Sequence, residues 1–270
     1  MSESRSANIL ADDLTSPSTI VDWILPEFLP RGTFVALAGM PGAGKSYLSY
    51  YLGMAIASGI EVLGFQPPRP YRVLYFDEEN SPADRVQYER WAWHGLGRPD
   101  LALLTKNFWP MPFQLGMADW AERAHELVAT HRPELFIIDT STPACDVQDE
   151  NDNAEASRVI RTIRHLMEVT TPPATALVLK HAKIQGEDGS YSLRGAKAWM
   201  GQVDAIAYLR RHEGRPRQDD LNTTILTPGK TRAFGLRRSL TIHPTRTADG
   251  RGISLSATSS FGGKRPRVSK

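Results

Sequence analysis

The chain is poor in cysteine and has no long apolar run. Cys145 is its single cysteine among 270 residues, so no intramolecular disulfide can form and a reducing compartment is expected. No stretch reaches the roughly 18 apolar residues that a membrane-spanning helix needs, and residues 1–13 lack the apolar core of a secretory signal. These absences exclude a disulfide-stapled scaffold and favour a cytoplasmic protein without a membrane partner.

Metal-ligand motifs of the common structural sites are also missing. No Cys and His residues stand at zinc-site spacing. Asp149, Asn151 and Asn153 have the alternate spacing of a calcium loop, but Ala154 stands where an EF-hand requires Gly and Ile160 where it requires Glu. The sequence therefore predicts neither a zinc site nor an EF-hand.

Length and composition favour one large α/β domain with short extensions. A hydrophobic content of 41% over 270 residues is enough for a sizeable core. Polar composition predicts a flexible arm over residues 1–18, and the run of basic residues after Gly263 predicts a disordered tail over 259–270. We expect the ordered domain to occupy residues 19–258.

Charge is distributed unevenly along the chain, although the formal net charge is only +2. Residues 1–150 carry 11 Lys and Arg against 20 Asp and Glu, a net −9, whereas residues 151–270 carry 21 against 10, a net +11. The basic half is a candidate face for a polyanion, and the alternative is a solvated basic surface with no partner.

The most informative stretch follows the apolar run 33–38 and matches the pattern G-x-x-x-x-G-K-S of a nucleotide-binding P-loop. Glycines let the backbone wrap closely around a phosphate, and the helix that begins here directs its N-terminal dipole at the same anion. The strand, turn and helix context speaks against an ordinary glycine-rich turn. The predicted nucleotide-binding residues are Gly39, Met40, Pro41, Gly42, Ala43, Gly44, Lys45, Ser46 and Tyr47.

This motif predicts ATP and Mg²⁺ as cofactors. Lys45 can reach the β- and γ-phosphates, and the Ser46 hydroxyl can ligate Mg²⁺. A P-loop ATPase also needs a carboxylate that orients the attacking water. Glu79 is our first choice for that role and Glu78 the second, because both follow the predicted strand 72–76. Alternatively, these acids merely precede the helix that starts at Ser81.

Strand and helix patterns beyond the P-loop predict an alternating α/β order. Asp139 ends the apolar strand 134–139 and is the candidate acid that holds Mg²⁺ together with Ser46. We expect further strands over 175–179, 204–209, 222–226, 239–242 and 253–255, and helices over 45–57, 81–95, 117–130 and 154–168. Residues 184–192 are interpreted as a polar, glycine-containing loop, and a short helix is expected to begin at Arg194.

In the order of its motifs the chain resembles the RecA-like ATPases, most closely the branch with the hexameric plasmid helicase RepA and the DnaB-type replicative helicases. The resemblance spans about residues 19–242. The matching segments are Trp23-Ile24-Leu25-Pro26, Pro30-Arg31-Gly32, the P-loop, Leu74 to Asn80, Asp139, His181-Ala182-Lys183, Leu193 to Ala196 with Asp204, and Lys230-Thr231-Arg232.

The resemblance implies a fold and roles for several residues. The fold is a RecA-like core, with a mostly parallel central sheet flanked by helices and antiparallel strands at its C-terminal side. Glu79 would be catalytic, His181 would sense the γ-phosphate, and Lys230 and Arg232 would enter the ATP site of a neighbouring subunit. Residues 182–193 would face single-stranded DNA in the channel of a homo-hexameric ring. From the residues alone, His181 can equally be structural and Lys230 and Arg232 a solvated turn.

The predicted function is an ATP-driven, ring-forming helicase of a plasmid, phage or similar element. The first alternative is an ATP-dependent DNA-binding protein of recombination or repair that does not unwind DNA. A small-molecule P-loop kinase is the second, and Lys230-Thr231-Arg232 together with the acids of the second strand speaks against it, since such kinases need no cation from a neighbouring subunit. Glu187 and Asp188 in the predicted DNA loop weaken the case for phosphate binding there.

Overall fold

A computed structural model describes residues 21–112, 120–139, 152–185, 190–193, 197–212, 221–232 and 235–260. The predicted arm over 1–18, the tail from 261 onward and most of the segment that follows Asp139 lie outside the described residues. None of the described helices is long and apolar enough to cross a membrane.

Twelve strands and six helices make up the described residues. The strands are β1 (Trp23–Leu25), β2 (Leu29–Pro30), β3 (Phe34–Gly39), β4 (Val73–Asp77), β5 (Phe108–Pro112), β6 (Leu135–Asp139), β7 (Thr175–Gln185), β8 (Ser190–Leu193), β9 (Ala205–Arg211), β10 (Thr224–Thr231), β11 (Ser239–Arg246) and β12 (Ile253–Ser260). The helices are α1 (Lys45–Ser58), α2 (Pro82–Gly95), α3 (Leu101–Asn107), α4 (Trp120–His131), α5 (Asn153–Glu168) and α6 (Lys197–Gln202).

The main sheet has the order β12-β11-β10-β9-β3-β7-β6-β4-β5, with β8 paired to β7. Strands β9, β3, β7, β6, β4 and β5 are parallel, and β10 to β12 are antiparallel additions on one side. This arrangement confirms the predicted fold class, a mostly parallel sheet flanked by helices with antiparallel strands at the C-terminal side.

The central strands are buried along their whole length because helices cover both faces of the sheet. Every residue of β3, β4 and β6 is buried, as expected for parallel strands with apolar runs such as Phe34–Gly39. One core lies between the sheet and helices α1, α2 and α3, and the other lies between the sheet and helices α4, α5 and α6. Helix α1 is buried around nearly its whole circumference, which fits its apolar sequence.

Three helices begin directly after a residue whose side chain caps the first turn. Ser81 accepts a hydrogen bond from the Asp84 N–H with Pro82 in the first turn of α2, and Asp152 caps α5 through the Ala154 N–H. Asp100 caps α3 in the same way. Helix α3 and edge strand β5 were not predicted, since α3 is only seven residues long and β5 contains two prolines.

The expectation of a loop over 184–192 is wrong for its described residues. Strand β7 continues to Gln185, and β8 pairs back onto it, with Ala182 opposite Leu193 and Lys183 opposite Ser192. The two strands form an antiparallel pair, which backbone hydrogen bonding stabilises even where the side chains are polar. Because Gly39 is the last residue of β3 and pairs with His181, the pair extends beyond the end of β3.

Candidate nucleotide site

The P-loop lies between β3 and α1, and its glycines have the conformations that the motif needs. Gly42 and Gly44 have φ angles of 71° and 87°, in the region that L side chains rarely adopt. Gly39 lies so close to β9 that a Cβ there would be 2.5 Å from the Leu209 carbonyl oxygen. The predicted loop is therefore in place, with Met40 and Pro41 exposed between these glycines.

Lys45 folds back onto the loop that precedes it. Its Nζ donates to the carbonyl oxygens of Gly39 at 3.0 Å and Met40 at 3.2 Å, and the residue is only 6% exposed. Burial lowers the pKa of Lys45, whereas the negative charges of Glu79 and Asp139 raise it. These two neighbours favour the ammonium form, which is the form that attracts a phosphate.

Asp139 and Ser46 provide the oxygens that suit a magnesium ion. Asp139 is fully buried, and burial raises its pKa to about 7, against the lowering effect of the nearby Ser46 hydroxyl and of the hydrogen bond from Tyr75. Within the part of the chain that the structure describes, its Oδ1 has no close hydrogen-bond partner. A buried carboxylate oxygen left without a partner, next to a P-loop hydroxyl, fits a hard divalent cation.

A second buried acid, Asp77, lies beside Asp139 in the neighbouring strand. The two residues are paired in register across β4 and β6. The Asn80 side-chain amide joins them, because its Nδ2 donates to Asp77 Oδ1 at 2.9 Å and to Asp139 Oδ2 at 3.1 Å. Burial raises the pKa of Asp77 as well. Sequence reasoning assigned no role to Asp77 or Asn80, although their place at the acidic strand end was visible.

Two tyrosines connect helix α1 to this pair of acids. Tyr50 donates to Asp77 Oδ2 at 2.7 Å, and Tyr75 donates to Asp139 Oδ2 at 2.9 Å. Their rings stack with centroids 4.2 Å apart, and the Tyr75 hydroxyl also lies 2.6 Å from Ser49 Oγ. The network holds the acids in fixed positions under the P-loop helix.

Glu78 and Glu79 follow β4 and have different surroundings. The backbone N–H groups of both point toward the Asp139 carbonyl oxygen, at 3.0 Å and 3.4 Å. The Glu79 side chain is exposed and is the stronger of the two acidic influences on the Lys45 pKa, whereas Glu78 is half-buried. Glu79 thus has access both to solvent and to the field of the P-loop lysine.

His181 lies within β7 and Arg211 ends β9, the two strands that flank β3. His181 is half-buried and paired in register with Gly39. Arg211 holds the loop directly, since its Nε and Nη2 donate to the Gly42 carbonyl oxygen at 3.0 and 2.8 Å. Sequence reasoning missed Arg211. Its position just after the apolar strand 204–209 was the available signal, because carboxyl ends of parallel strands meet at one edge.

Lys230 and Arg232 lie at the opposite edge of the sheet, away from the P-loop of their own chain. Lys230 Nζ donates to the carbonyl oxygens of Met200, Gly201 and Val203 at 2.7 to 3.1 Å. Arg232 Nη2 donates to the Gly201 oxygen at 2.7 Å. The pair therefore caps the C-terminal end of α6, where cations are favourable.

A cavity of about 180 Å³ adjoins the P-loop on the side of the antiparallel strands. Tyr47 is half-buried in its wall, and the Tyr47 hydroxyl donates to the Ile253 carbonyl oxygen. The other wall residues come from the loop, from the first turn of α1, from strands β10 to β12 and from the two residues 221–222 that the structure describes shortly before β10. Most of them are apolar, with Asn222 and Thr224 as polar members. An apolar cleft with few polar groups is typical of small-molecule sites.

Comparison with known proteins agrees with this geometry. No curated protein was found to match the chain in sequence. The family model of the AAA domain matches residues 2–187, which include the P-loop, the acids of β4 and β6, and His181. The match covers more than half of the chain, so this protein belongs to the AAA domain family and carries a P-loop domain of ATPase type.

Proposed function

We propose that the protein is an ATP-driven motor that acts on single-stranded DNA and works as a ring of identical subunits. The observation that carries the proposal is the position of Lys230 and Arg232. Thr231 pairs with Ala205, four residues before Leu209, which lies beside Gly39. At roughly 3.3 Å per residue, the two cations begin about 13 Å from the P-loop along the sheet.

This separation favours a site shared between subunits. Arg232 points further away, toward Gly201, so it cannot reach a phosphate held by its own P-loop without leaving α6. In a ring with head-to-tail contacts, the amino edge of one subunit can face the P-loop edge of the next. Arg232 would then supply the positive charge that stabilises the transition state of phosphoryl transfer.

The cavity beside Tyr47 supports a nucleoside triphosphate over a simple phosphate ligand. It opens next to Gly42 and Gly44, so a ligand whose phosphates occupy the loop would place its base among the apolar residues of β10 to β12. The amide of Asn222 and the hydroxyl of Thr224 can bond the polar edge of that base. We assign the cavity to the adenine ring.

The pair β7 and β8 supports contact with a nucleic acid strand. The pairing begins at Ala182, directly after His181, which lies next to the P-loop strand. Lys183 and Ile184 are exposed on it, Ile184 by 58%. Tyr191 is half-exposed on β8. A lysine with aromatic and apolar neighbours suits single strands, whose backbone is charged and whose bases stack.

The test combines hydrolysis with strand displacement. Single-stranded DNA should stimulate ATP hydrolysis, and the protein should displace an annealed strand from a tailed duplex when ATP is present. Lys183→Ala should reduce the stimulation more than the basal rate, whereas Lys106→Ala, a matched change at an exposed lysine on α3, should change neither. The logarithm of DNA affinity should fall with the logarithm of salt concentration, with a slope of about −0.7 per phosphate contact.

Two outcomes would overturn parts of the proposal. Stimulated hydrolysis without displacement under any loading condition would favour a recombination-type DNA-binding protein. Because the basic tail could bind DNA by itself, the assay is repeated on a chain that ends near Phe261. Stimulation that disappears with the tail would contradict the role of β7 and β8.

A further inference from the structure

A second cavity, of about 480 Å³, lies on the face of the sheet that helices α1, α2 and α3 cover. Helices α2 and α3 and edge strand β5 enclose it. Its floor includes the buried side chains of Met54, Leu104 and Phe108. Val86 and Leu101 form its rim and are 55% and 57% exposed, although both are large apolar residues. We call this cavity the α2–α3 groove.

One end of the groove is basic. Arg90 and His94 line both the groove and an adjoining polar cavity of about 490 Å³, which Arg251 and Trp91 complete. Among the described residues, the side chains of Arg90 and Arg251 make no ion pair, while His94 lies 3.2 Å from Asp249. The combined surface therefore fits a segment that is apolar on one side and acidic on the other.

We propose that residues 9–14 of the same chain, Ile-Leu-Ala-Asp-Asp-Leu, dock in the α2–α3 groove. Ile9, Leu10 and Leu14 would cover the apolar floor and rim, and Asp12 and Asp13 would face Arg90 and Arg251. The half-buried Glu89 in the groove wall offers an acceptor for a backbone N–H of the docked segment.

The position at which the described chain begins allows residues 9–14 to reach the α2–α3 groove. The Trp23 carbonyl oxygen accepts from the Tyr71 hydroxyl at 2.9 Å, and the Tyr71 N–H donates to Ile56 near the end of α1. Asn107, at the end of α3, donates to Ala57 in the same turn. The chain thus enters on the face that carries the groove, and residues 15–20 can span about 20 Å when extended.

The family match supports a role for this segment within the domain. The AAA domain model begins to match at residue 2, so residues 9–14 lie inside the matched region and not before it. A segment that merely preceded the domain would not need to share in the match. This observation is independent of the shape and charge of the groove.

Disulfide trapping in the full-length protein tests the docking. Cys145→Ser removes the single cysteine, and Leu10→Cys with Leu101→Cys then places one thiol on the segment and one on the exposed rim. The control pair is Leu10→Cys with Arg161→Cys, because Arg161 is exposed on α5, on the opposite face of the sheet. The two products are separated by mobility on non-reducing gels.

We expect an intramolecular disulfide whose rate does not depend on protein concentration and is at least about tenfold that of the control pair, because a docked segment has a high effective concentration. Asp12→Lys with Asp13→Lys should slow it, and adding Arg90→Glu with Arg251→Glu should restore it. Equal rates for the two pairs would overturn the proposal. A disulfide that forms only between chains would overturn docking in the same chain.

Discussion

The two edges of the central sheet both carry buried acidic residues, but the pKa values of these acids are changed in opposite directions. At the carboxyl edge, Asp77 and Asp139 are buried and their pKa values are raised. At the amino edge, burial alone would raise the pKa of Glu134, but hydrogen bonds and charges from Arg69 and Arg72 lower it overall. One edge therefore holds acids whose pKa values are dominated by burial, and the other holds an acid whose charge three arginines compensate.

This difference separates candidate ligand-binding residues from residues that stabilise the fold. Glu134 accepts from Arg31 and Arg69, each at 2.7 Å, and so ties the chain before β3 to the loop before β4. Asp139 accepts hydrogen bonds from the neutral side chains of Tyr75 and Asn80, with the Lys45 charge nearby, and a magnesium ion would add positive charge directly at its carboxylate.

Protonation of Asp139 should dominate the pH dependence of stability. Because burial raises its pKa from 3.8 to about 7, the folded protein holds this proton more tightly than the unfolded chain. The stabilisation is complete below about pH 4 and is lost as pH rises to 7, by up to about 4 kcal/mol at 1.36 kcal/mol per pKa unit. Asp139→Asn should become more stable relative to wild type over this window.

Denaturant unfolding without nucleotide or metal, from pH 4 to pH 8, measures this difference. Glu126→Gln, a change at an exposed carboxylate on α4, is the matched control and should follow wild type at each pH. If Asp139→Asn also runs parallel to wild type across the window, the buried acid is not the source of the pH dependence.

At the amino edge, Glu134→Ala should lower the free energy of unfolding by about 2–3 kcal/mol, because it leaves arginines without their buried partner. This value lies below the roughly 3–5 kcal/mol for a fully buried pair, since Arg69 and Arg72 are about half exposed and can be hydrated. Nucleotide affinity should stay unchanged. Glu61→Ala, at an exposed glutamate, is the control for denaturation. A loss of nucleotide affinity without a loss of stability would contradict the claim that Glu134 only stabilises the fold.

Sequence reasoning could predict the parts of the site that are local in the chain. The P-loop lies within eight consecutive residues, and Asp139 follows directly from an apolar strand that ends in an acid. Asn80 and Arg211 could not be assigned in this way. Their roles depend on β4 lying beside β6 and β9 beside β3, and these pairings join residues far apart in the chain.

The same reason limits the prediction of the fold. The parallel core followed from alternating apolar runs, whereas β8 and edge strand β5 did not. Pro110 and Pro112 lower the strand propensity of β5, and β4 holds it in the sheet from one side only. Where the local sequence signal is weak, pairing with a neighbouring strand thus determines whether a segment forms a strand.

Hydrolysis should depend on Glu79 more than on Glu78. Glu79→Gln should bind nucleotide with magnesium normally but hydrolyse it at least about tenfold more slowly, a barrier increase of about 1.4 kcal/mol. Lys45→Ala, by contrast, should abolish nucleotide binding. Steady-state hydrolysis and equilibrium binding, measured on the same preparations, distinguish these effects. A normal turnover for Glu79→Gln with an inactive Glu78→Gln would move the role to Glu78.

The smallest expected change in stability is at Arg232, and it decides whether the amino edge only fastens the fold. Arg232 donates to the α6 end but its side chain is 53% exposed, so Arg232→Ala should cost less than about 1 kcal/mol. If it also completes a neighbouring site, turnover should fall far more than stability, with nucleotide affinity kept. Mixing Arg232→Ala with Lys45→Ala should then restore some hydrolysis, because one kind of mixed interface joins an intact P-loop to an intact Arg232. Mixed oligomers that form but recover no activity at any ratio would leave Arg232 with structural contacts alone, the cap on α6 and the ion pair with Asp204.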